Sequence, residues 1–372
     1  MGNMGASSVP VSGLAKFYLM MTQQFFILLS LLAIIFTGYI LWRMVISSPS
    51  QNKMVAQKKV RTKESHNHFV LRIGLGVLWL VDGLLQAQPA MSSDFVSGVI
   101  QPIAAVQPSF LAQWLQWAGQ IWSSHPIFYD LLAMWIQLGI GCLLLIGGEG
   151  IWSKIGLVAS LGWGTVVWIF GEGFGGLFSG SATWLSGSPG SVLFYMIAAF
   201  ILLLPRAWFE ANKLRLPMQR AIGILWIVLA VLQALPNQHF WTAKGLGAPI
   251  LAMAKMPQPH VFTLVLVVFA DQLIAHPILW NGFFTIIMLF FGIFLLFRSS
   301  LHYTWWAMGV WLFATWFLGQ DFGVLGGLGT DPNSAPPLAL LIVSSVILRH
   351  REDQVTKSNE RQSMIHRRFF VH

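Results

Sequence analysis

Long apolar stretches alternate with short polar segments along almost the whole chain. Several of them reach or approach the roughly 20 residues that a helix needs to cross a bilayer. The pattern predicts an all-α polytopic membrane protein with an N-terminal anchor helix over Phe25 to Trp42 and eight further spans, about nine in total. The further spans are predicted at Val70–Gln86, Ile127–Ile146, Ile155–Phe170, Ser191–Leu204, Ala221–Leu235, Ile278–Phe297, Tyr303–Leu318 and Pro337–Leu348.

One stretch of twenty residues occurs twice, at Gln107 to Pro126 and at Gln258 to Pro277. Both copies open on Gln-Pro and close on His-Pro. Flanking residues match in the same order over about a hundred residues, which predicts an internal duplication. The matched residues are Gly76, Trp79, Leu85, Gln86, Pro89, Trp163, Trp168, Gly171, Phe174 and Gly175 in one copy, and Gly223, Trp226, Leu232, Gln233, Pro236, Trp311, Trp316, Gly319, Phe322 and Gly323 in the other.

The duplication divides the chain into units. They are an anchor helix with a basic linker (1–68), a first four-span repeat (69–206), a hinge (207–219), a second four-span repeat (220–349) and a basic tail (350–372). The two repeats are called the first half and the second half below. Because each has an even number of spans, both enter the membrane in the same direction, and equivalent residues lie at equal depth. Residues 1–16 are small and polar and are expected to be irregular.

Each duplicated stretch is predicted to form an amphipathic helix at the membrane interface, preceded by an outer loop. Ser109, Gln113, Gln116 and Gln120 of the first copy share one helical face, because they recur every three or four residues. The second copy is apolar enough to be a span, so whether residues 259–275 cross the membrane stays open. The outer loops are expected to run from Gln88 to about Gln107 and from Leu235 to about Pro257.

Composition and charge agree with a membrane protein, since 56% of the residues are hydrophobic and only 9% are charged. The net charge of +9 comes from basic residues in short runs between apolar segments, as orientation in a membrane requires. Their distribution places the N-terminus outside and the hinge and C-terminus in the cytoplasm of a cell whose plasma membrane holds the chain. The lipid bilayer is the expected partner, and nucleic-acid binding is excluded because no basic stripe follows a polar segment. The single cysteine, Cys142, has no internal disulfide partner.

Acidic residues concentrate in the predicted outer halves of the spans and in the outer loops. Ionisable groups at membrane depth are expensive and usually face a cavity. The candidate ligand-binding residues are Asp82, Asp130, Glu172, Asp271 and Asp321. Asp94, Asp331 and His239 are interpreted instead as solvated loop residues.

His125 and His276 stand at matching positions, each before a proline that starts a span. One interpretation is a pair of ligands to a metal, haem iron included, or a proton-handling pair. The other is that each histidine caps its helix. No nearby carboxylate or second histidine has ligand spacing.

Two glycine-rich loops each precede a short final span. They are the first glycine-rich loop (Gly171 to Gly190) and the second glycine-rich loop (Gly319 to Ala335). A helix of the predicted length reaches only ~20 Å, less than the ~30 Å hydrocarbon core. Each loop is therefore expected to enter the outer leaflet, and such interrupted segments at matching places point to a binding site. Close packing of small residues between helices is the alternative.

The segments RIGLGVLWLVDGLLQ (Arg72 to Gln86) and RAIGILWIVLAVLQ (Arg220 to Gln233) resemble the first span of DoxX-like membrane proteins. This resemblance implies a four-span unit and membership of a redox or quinone-linked membrane system, with quinone or haem as cofactor and a redox protein as partner. It carries no catalytic residues onto this chain, so whether the chain is an enzyme stays open. The alternative function is a small-solute transporter or channel built from two parallel repeats.

Overall fold

The computed structural model describes residues 11–46, 64–210, 213–297, 302–325 and 327–345. Within these ranges every regular element is helical and no strand occurs, so the all-α prediction is confirmed there. The predicted tail (350–372) and most of the basic linker lie outside the described residues.

Helices of the N-terminal part follow one another with short connections. In chain order they are α1 (Val11–Ile46), α2 (His66–Gln86), α3 (Pro89–Phe95), α4 (Gln101–Ala105), α5 (Ser109–Ser124), α6 (Pro126–Ile146), α7 (Ile151–Val166) and α8 (Ser191–Leu203). A π-helical turn at Val96–Ile100 joins α3 to α4, and a second one at Val167–Gly171 extends α7.

The C-terminal part repeats this order. Its helices are α9 (Arg206–Glu210), α10 (Arg215–Ala234), α11 (Ala243–Ala254), α12 (His260–Ala275), α13 (Pro277–Phe297), α14 (His302–Leu318) and α15 (Ala335–Ser345). Because α10 begins at Arg215, the predicted hinge is shorter than expected.

Six described helical segments are long and apolar enough to cross a membrane. They are Gly13–Leu31 within α1, together with α2, α6, α7 including its π-helical extension, α10 and α13. Helices α8, α12 and α15 are apolar but shorter. The structure is therefore compatible with a multi-pass membrane protein.

The prediction of two irregular outer loops was wrong. Residues 89–105 are almost entirely helical, and α11 lies within the second segment. Pro89 stands in the first turn of α3, where a missing N–H removes no helical hydrogen bond, and Pro102 directly follows the π-helical turn. Met91 and Phe95 are buried in one cluster with Leu115 of α5, so packing stabilises helices that polar composition did not suggest.

Helix α1 also begins earlier than predicted, at Val11 inside the segment expected to be irregular. Phe17 is 1% exposed and packs with Leu131 and Met134 of α6. The anchor helix thus contacts the first half through an apolar side chain that precedes its predicted start.

Helices α2 and α6 cross at a pair of glycines, and so do α10 and α13. A Cβ atom on Gly141 would lie 2.9 Å from the carbonyl oxygen of Gly76, and one on Gly292 would lie 2.9 Å from that of Gly223. Small residues let backbones approach closely, and this packing stabilises helix pairs in lipid, where burial of apolar surface gives little. Both crossings therefore depend on the absence of a side chain.

Matched residues also make matched hydrogen bonds across these helix pairs. Gln86 Nε2 donates to Asp130 Oδ1, and Gln233 Nε2 donates to Asn281 Oδ1 at 2.6 Å. All four residues are at most 4% exposed. Each bond joins two buried polar side chains, although Asp130 Oδ2 has no partner in the described chain, and ties the first helix of its half to the helix that begins at the His-Pro proline.

A second matched contact agrees with the alignment of the two halves. The guanidinium of Arg72 donates to the carbonyl oxygen of Leu144, and Gln219 Nε2 donates to that of Leu295 at 2.9 Å. Gln219 thus occupies the place of Arg72, as the matched glycines Gly76 and Gly223, each four residues further on, require.

The duplicated stretches form helices of equal length, α5 and α12, with 16 residues each. Leu111, Leu115 and Gly119 are buried along one side of α5. The predicted polar face is exposed, and the aromatic residues Trp114 and Trp117 are exposed as well. The helix therefore has a buried side, a polar side and an aromatic side, as an interfacial helix requires.

The two glycine-rich loops begin with the same left-handed turn. Positive φ angles occur at Gly173, Phe174 and Gly175 (55°, 58° and 61°) and at Asp321, Phe322 and Gly323 (47°, 56° and 72°). Each turn is closed by an indole, since Trp168 Nε1 donates to the Pro189 carbonyl oxygen at 2.9 Å and Trp316 Nε1 donates to that of Pro332 at 2.7 Å.

Substituting the crossing glycines should destabilise both halves. We expect Gly141→Ala and Gly292→Ala each to lower the free energy of unfolding by about 1–3 kcal/mol, because the new methyl group meets a backbone carbonyl. Gly139→Ala and Gly282→Ala are matched controls in the same helices, where a Cβ meets nothing within 4 Å. Thermal melts of purified protein in detergent measure the effect, and equal melting temperatures for crossing and control variants would contradict it.

Candidate functional site

A cavity of about 300 Å³ lies in the first half, at the end of the bundle that carries the glycine-rich loops. Helices α2, α5, α6 and α7 surround it, and the loops close its end. Most of its wall is apolar. The aromatic residues of the wall are Phe95, Trp117, Trp122, Tyr129, Trp163 and Phe170.

Three carboxyl groups line one side of this cavity: Asp82, Glu172 and Asp331. Asp82 comes from the C-terminal part of α2 and is 2% exposed. Glu172 opens the first glycine-rich loop, while Asp331 comes from the second. The site therefore needs both halves of the chain.

Each carboxyl group has a hydrogen-bond donor. Tyr195 Oη donates to Asp82 Oδ1 at 3.1 Å. The hydroxyl of Ser191 donates to Glu172 Oε1 at 2.6 Å, and the backbone N–H of Val192 donates to the same atom at 3.2 Å.

Asp331 is held within its own loop. Its carboxyl group accepts the backbone N–H of Asn333 at 2.7 Å and the hydroxyl of Thr330 at 3.0 Å. These bonds hold the Asp331 side chain against its own loop. In this position its carboxyl group lines the cavity beside residues of the first half.

The loops reach the opposite halves by crossing. Thr183 of the first loop donates its hydroxyl to Gln233 Oε1, and the N–H of Ala182 donates to Gln238 Oε1 at 2.8 Å. In the other direction, Gln88 Nε2 donates to the carbonyl oxygen of Gly329 at 3.3 Å. Each half thus completes the loop end of the other.

No described Lys, Arg or His side chain lines the cavity. Burial raises the pKa of Glu172, and the charge of Asp331 raises it further. Burial also raises the pKa of Asp331. Neighbouring acids without a basic partner disfavour their charged forms, so the protonated forms of Glu172 and Asp331 are favoured relative to those of solvated carboxyl groups.

Four polar atoms of the wall are shielded from solvent and have no hydrogen-bond partner within the described chain. They are Trp122 Nε1, Gln137 Oε1, Trp163 Nε1 and Glu172 Oε2. A buried polar atom without a partner costs about 1–3 kcal/mol. Their common position around one cavity fits a ligand that offers several hydrogen-bonding groups.

The cavity opens sideways through the apolar surface of the bundle. Trp117, Ile121, Leu132 and Val166 line it, and they are 57%, 38%, 40% and 42% exposed. Helices α5, α6 and α7 carry these residues. The mouth of the cavity therefore lies among apolar side chains of three helices.

Equivalent positions in the second half are not acidic. Asp82 corresponds to Leu229, and Tyr195 corresponds to Leu338 when positions are counted from the matched prolines Pro189 and Pro332. Glu172 corresponds to Gln320. At these three matched positions, the acidic and phenolic side chains therefore belong to the first half.

The structure brings together only part of the predicted site. Asp82 and Glu172 line the cavity, and Asp130 lies directly behind it through its hydrogen bond to Gln86. Asp321 is 2% exposed at the left-handed turn of the second loop and does not line this cavity. Asp271 is exposed on α12. Neither Asp321 nor Asp271 therefore belongs to the set of carboxyl side chains that line the cavity.

His125 and His276 lie at matching helix starts, directly before α6 and α13, and both are exposed. His125 Nδ1 lies 3.1 Å from Ser124 Oγ. In the described part of the chain, three side chains of the metal-binding types lie close enough together to share a metal ion. Neither His125 nor His276 is one of them. A metal site at these histidines stays a prediction.

That group of three lies at the opposite end of the bundle and consists of Glu64, His68 and Glu149. Arg72 pairs with Glu64 at 2.8 Å, and Arg206 pairs with Glu149 at 2.7 Å. Although burial disfavours its charged form, hydrogen bonds from Arg72 and His68 lower the pKa of Glu64. These acids already have cationic partners, so we interpret the group as an ion-pair network.

The interpretation of Asp331 as a solvated loop residue was wrong. Its carboxyl group lines the cavity because the second loop crosses to the first half. Tyr195, Gln86 and Gln137 were also missed as site residues. Tyr195 stood inside a short predicted span at a position without a polar counterpart, and that asymmetry was a usable signal.

No protein-family model matches this chain, and no curated protein or solved structure is detectably similar to it.

The Tyr195–Asp82 bond should show energetic coupling. We expect Tyr195→Phe to lower the free energy of unfolding by about 1–3 kcal/mol, because it leaves a buried carboxyl oxygen without a donor. The double variant Asp82→Leu with Tyr195→Phe should cost less than the sum of both single variants, since no buried polar group is left unpaired. Chemical unfolding of the four proteins measures this cycle, and additive effects would contradict the coupling.

Proposed function

We propose that the chain is a duplicated, nine-span protein of the plasma membrane that resembles DoxX-like proteins. The six long apolar helices and the shorter α8, α14 and α15 make up the nine spans, while α5 and α12 lie at the interface. The matched glycine crossings, hydrogen bonds and loop turns support the duplication. Basic residues at the end opposite the glycine-rich loops support a cytoplasmic hinge and C-terminus.

Its proposed function is to bind a lipid-soluble ligand with a hydrogen-bonding head as a membrane subunit of a redox or quinone-linked system. The observation that carries this proposal is the cavity itself, which is apolar, open toward lipid and lined by three carboxyl groups at one side. A ring with oxygen substituents fits such a wall, because aromatic side chains pack on the ring and polar atoms bind the oxygens.

Quinone chemistry matches this arrangement. Reduction of a quinone to a quinol takes up two electrons and two protons, and protonated carboxyl groups beside the ligand can donate the protons. Burial raises the pKa of both Glu172 and Asp331, which favours their protonated forms. The electrons would come from a redox partner protein, so this chain supplies binding and proton exchange.

Quinone is favoured over haem by the residues of the wall. No His, Cys or Met is among the described residues that line the cavity. These side chains are the usual axial ligands of haem iron.

A second candidate function is transport of a small solute, and a specific observation favours it. The helix before each glycine-rich loop ends in non-helical backbone at matching places of two parallel halves, as in many transporters. In that case the carboxyl groups would bind a cationic or proton-coupled solute. Uptake by proteoliposomes without quinone binding would select this function.

Quinone binding can be measured directly. We expect a short-chain benzoquinone to quench tryptophan fluorescence of the purified protein saturably, because three tryptophans line the cavity. Trp163→Phe should weaken binding about threefold to tenfold, since it removes one N–H donor but keeps an aromatic ring.

Glu149→Gln is the control, because this acid lies at the opposite end of the bundle. It should bind like the unchanged protein. Quenching that never saturates, or equal weakening in the control, would argue against a site in this cavity.

Membrane orientation is tested with inserted tags. Tags near Lys213 and at the C-terminus should be cytoplasmic, and one near Lys244 should be outside, because this arrangement keeps most basic residues on one side. Accessibility of each tag to an impermeant reagent measures this. An outside C-terminal tag with an inside hinge would show that α12 crosses the membrane.

A further inference from the structure

One large side chain of the first glycine-rich loop is buried in the second half. Trp184 is 0% exposed, and its ring packs edge-on against Trp226 with ring centroids 5.2 Å apart. Trp226 belongs to α10, so the loop carries an indole across the boundary between the halves.

Trp184 is also hydrogen-bonded at both of its polar ends. Its Nε1 donates to Thr315 Oγ1 at 2.9 Å, and its carbonyl oxygen accepts Gln320 Nε2 at 2.9 Å. The preceding Thr183 donates to Gln233.

The residues that hold Thr183 and Trp184 are the counterparts of cavity residues. Gln233 corresponds to Gln86, Thr315 to Val167 and Gln320 to Glu172, by the matched positions of the two halves. All three first-half residues line the cavity. Thr183 and Trp184 therefore fill the space in the second half that corresponds to the cavity of the first.

The side chains of Glu172 and Gln320 occupy matched positions, and their two polar atoms can be compared one by one. Gln320 Oε1 accepts the N–H of Ala335 at the start of α15, as Glu172 Oε1 accepts that of Val192 at the start of α8. The other atom of Gln320, Nε2, donates to the carbonyl oxygen of Trp184. The corresponding atom, Glu172 Oε2, is buried and has no partner in the described chain.

The second loop provides no such filling for the first half. Counted back from Pro332, the residue that corresponds to Trp184 is Gly327, which is exposed. A Cβ atom there would find only Met256 within 4 Å. Of this loop, the residues that line the cavity are Thr330 and Asp331.

We infer that Trp184 is a built-in occupant of the second-half site and shows what the first-half site binds: a planar aromatic group with an acceptor oxygen beside it that takes a hydrogen bond from the carboxyl group of Glu172. This inference rests on the proposed function and assigns the contact that orients the ligand. It also means that one half binds ligand while the other is filled by its own chain.

The first test compares two variants of Glu172 with a short-chain benzoquinone as probe. Glu172→Gln keeps the acceptor for the Val192 N–H and offers an N–H donor, as Gln320 does. Glu172→Leu removes both. We expect the glutamine variant to bind the probe at least about tenfold more tightly than the leucine variant. Equal affinities of the two variants would overturn the inference.

The second test removes the occupant. Trp184→Ala should open a site in the second half, so added indole should raise its melting temperature several degrees more than that of the unchanged protein. Trp152→Ala is the control, because Trp152 is 52% exposed. Equal indole shifts in the Trp184 variant and the control would overturn the inference.

The two tests separate the inference from the proposed function. Failure of the unchanged protein to bind benzoquinone refutes the proposed function. Binding by the unchanged protein with equal affinities of the two Glu172 variants refutes only the assigned contact. If Trp184→Ala does not fold, the comparison at Glu172 decides the inference by itself.

Discussion

The exchange of the two glycine-rich loops between the halves is the constraint on which the site depends. Non-helical backbone near a bilayer must find its hydrogen bonds within the protein. The loops do so by crossing: the first binds Gln233 and Gln238 of the second half, and the second binds Gln88 of the first. Ser334 joins them by donating to the carbonyl oxygen of Gly187. Satisfying the backbone in this way brings Asp331 to the cavity that Asp82 lines.

The same scaffold supports two different interiors. Glycine crossings and glutamine hydrogen bonds recur in both halves and depend only on backbone approach and a few buried amides. Around that frame, the cavity among the helices of the first half is lined by acids, one of which, Asp331, comes from the loop of the second half. The corresponding space in the second half is surrounded by neutral residues and holds the indole of Trp184, which comes from the loop of the first half. The buried side chain of Trp184 adds packing contacts, and both its indole N–H and its backbone carbonyl oxygen are hydrogen-bonded. Carboxyl groups around a cavity stabilise the fold less than a packed side chain does, but they can bind a ligand. The filled space therefore contributes to stability, and the cavity contributes to function.

Sequence reasoning predicted the helices with long apolar runs, the equal lengths of α5 and α12 and the short α8. It missed α3, α4 and α11. For α3 and α4 the stabilising contact is the packing of Met91 and Phe95 against Leu115 of α5, which local composition does not show. It found Asp82, because this carboxylate interrupts an apolar run, and Glu172, because this acid stands at the start of a glycine-rich loop. It missed Asp331, whose burial depends on where a loop crosses.

The sequence by itself determined the all-helical class, the order of the apolar helices and the matched positions of the two halves. These follow from local composition and spacing, which act within one helix or between neighbours in the chain. Only the tertiary structure decided which acids meet, which half has a cavity and what fills the other. Those outcomes depend on contacts such as Thr183 with Gln233, between residues far apart in the chain, and no local pattern encodes the path of a crossing loop.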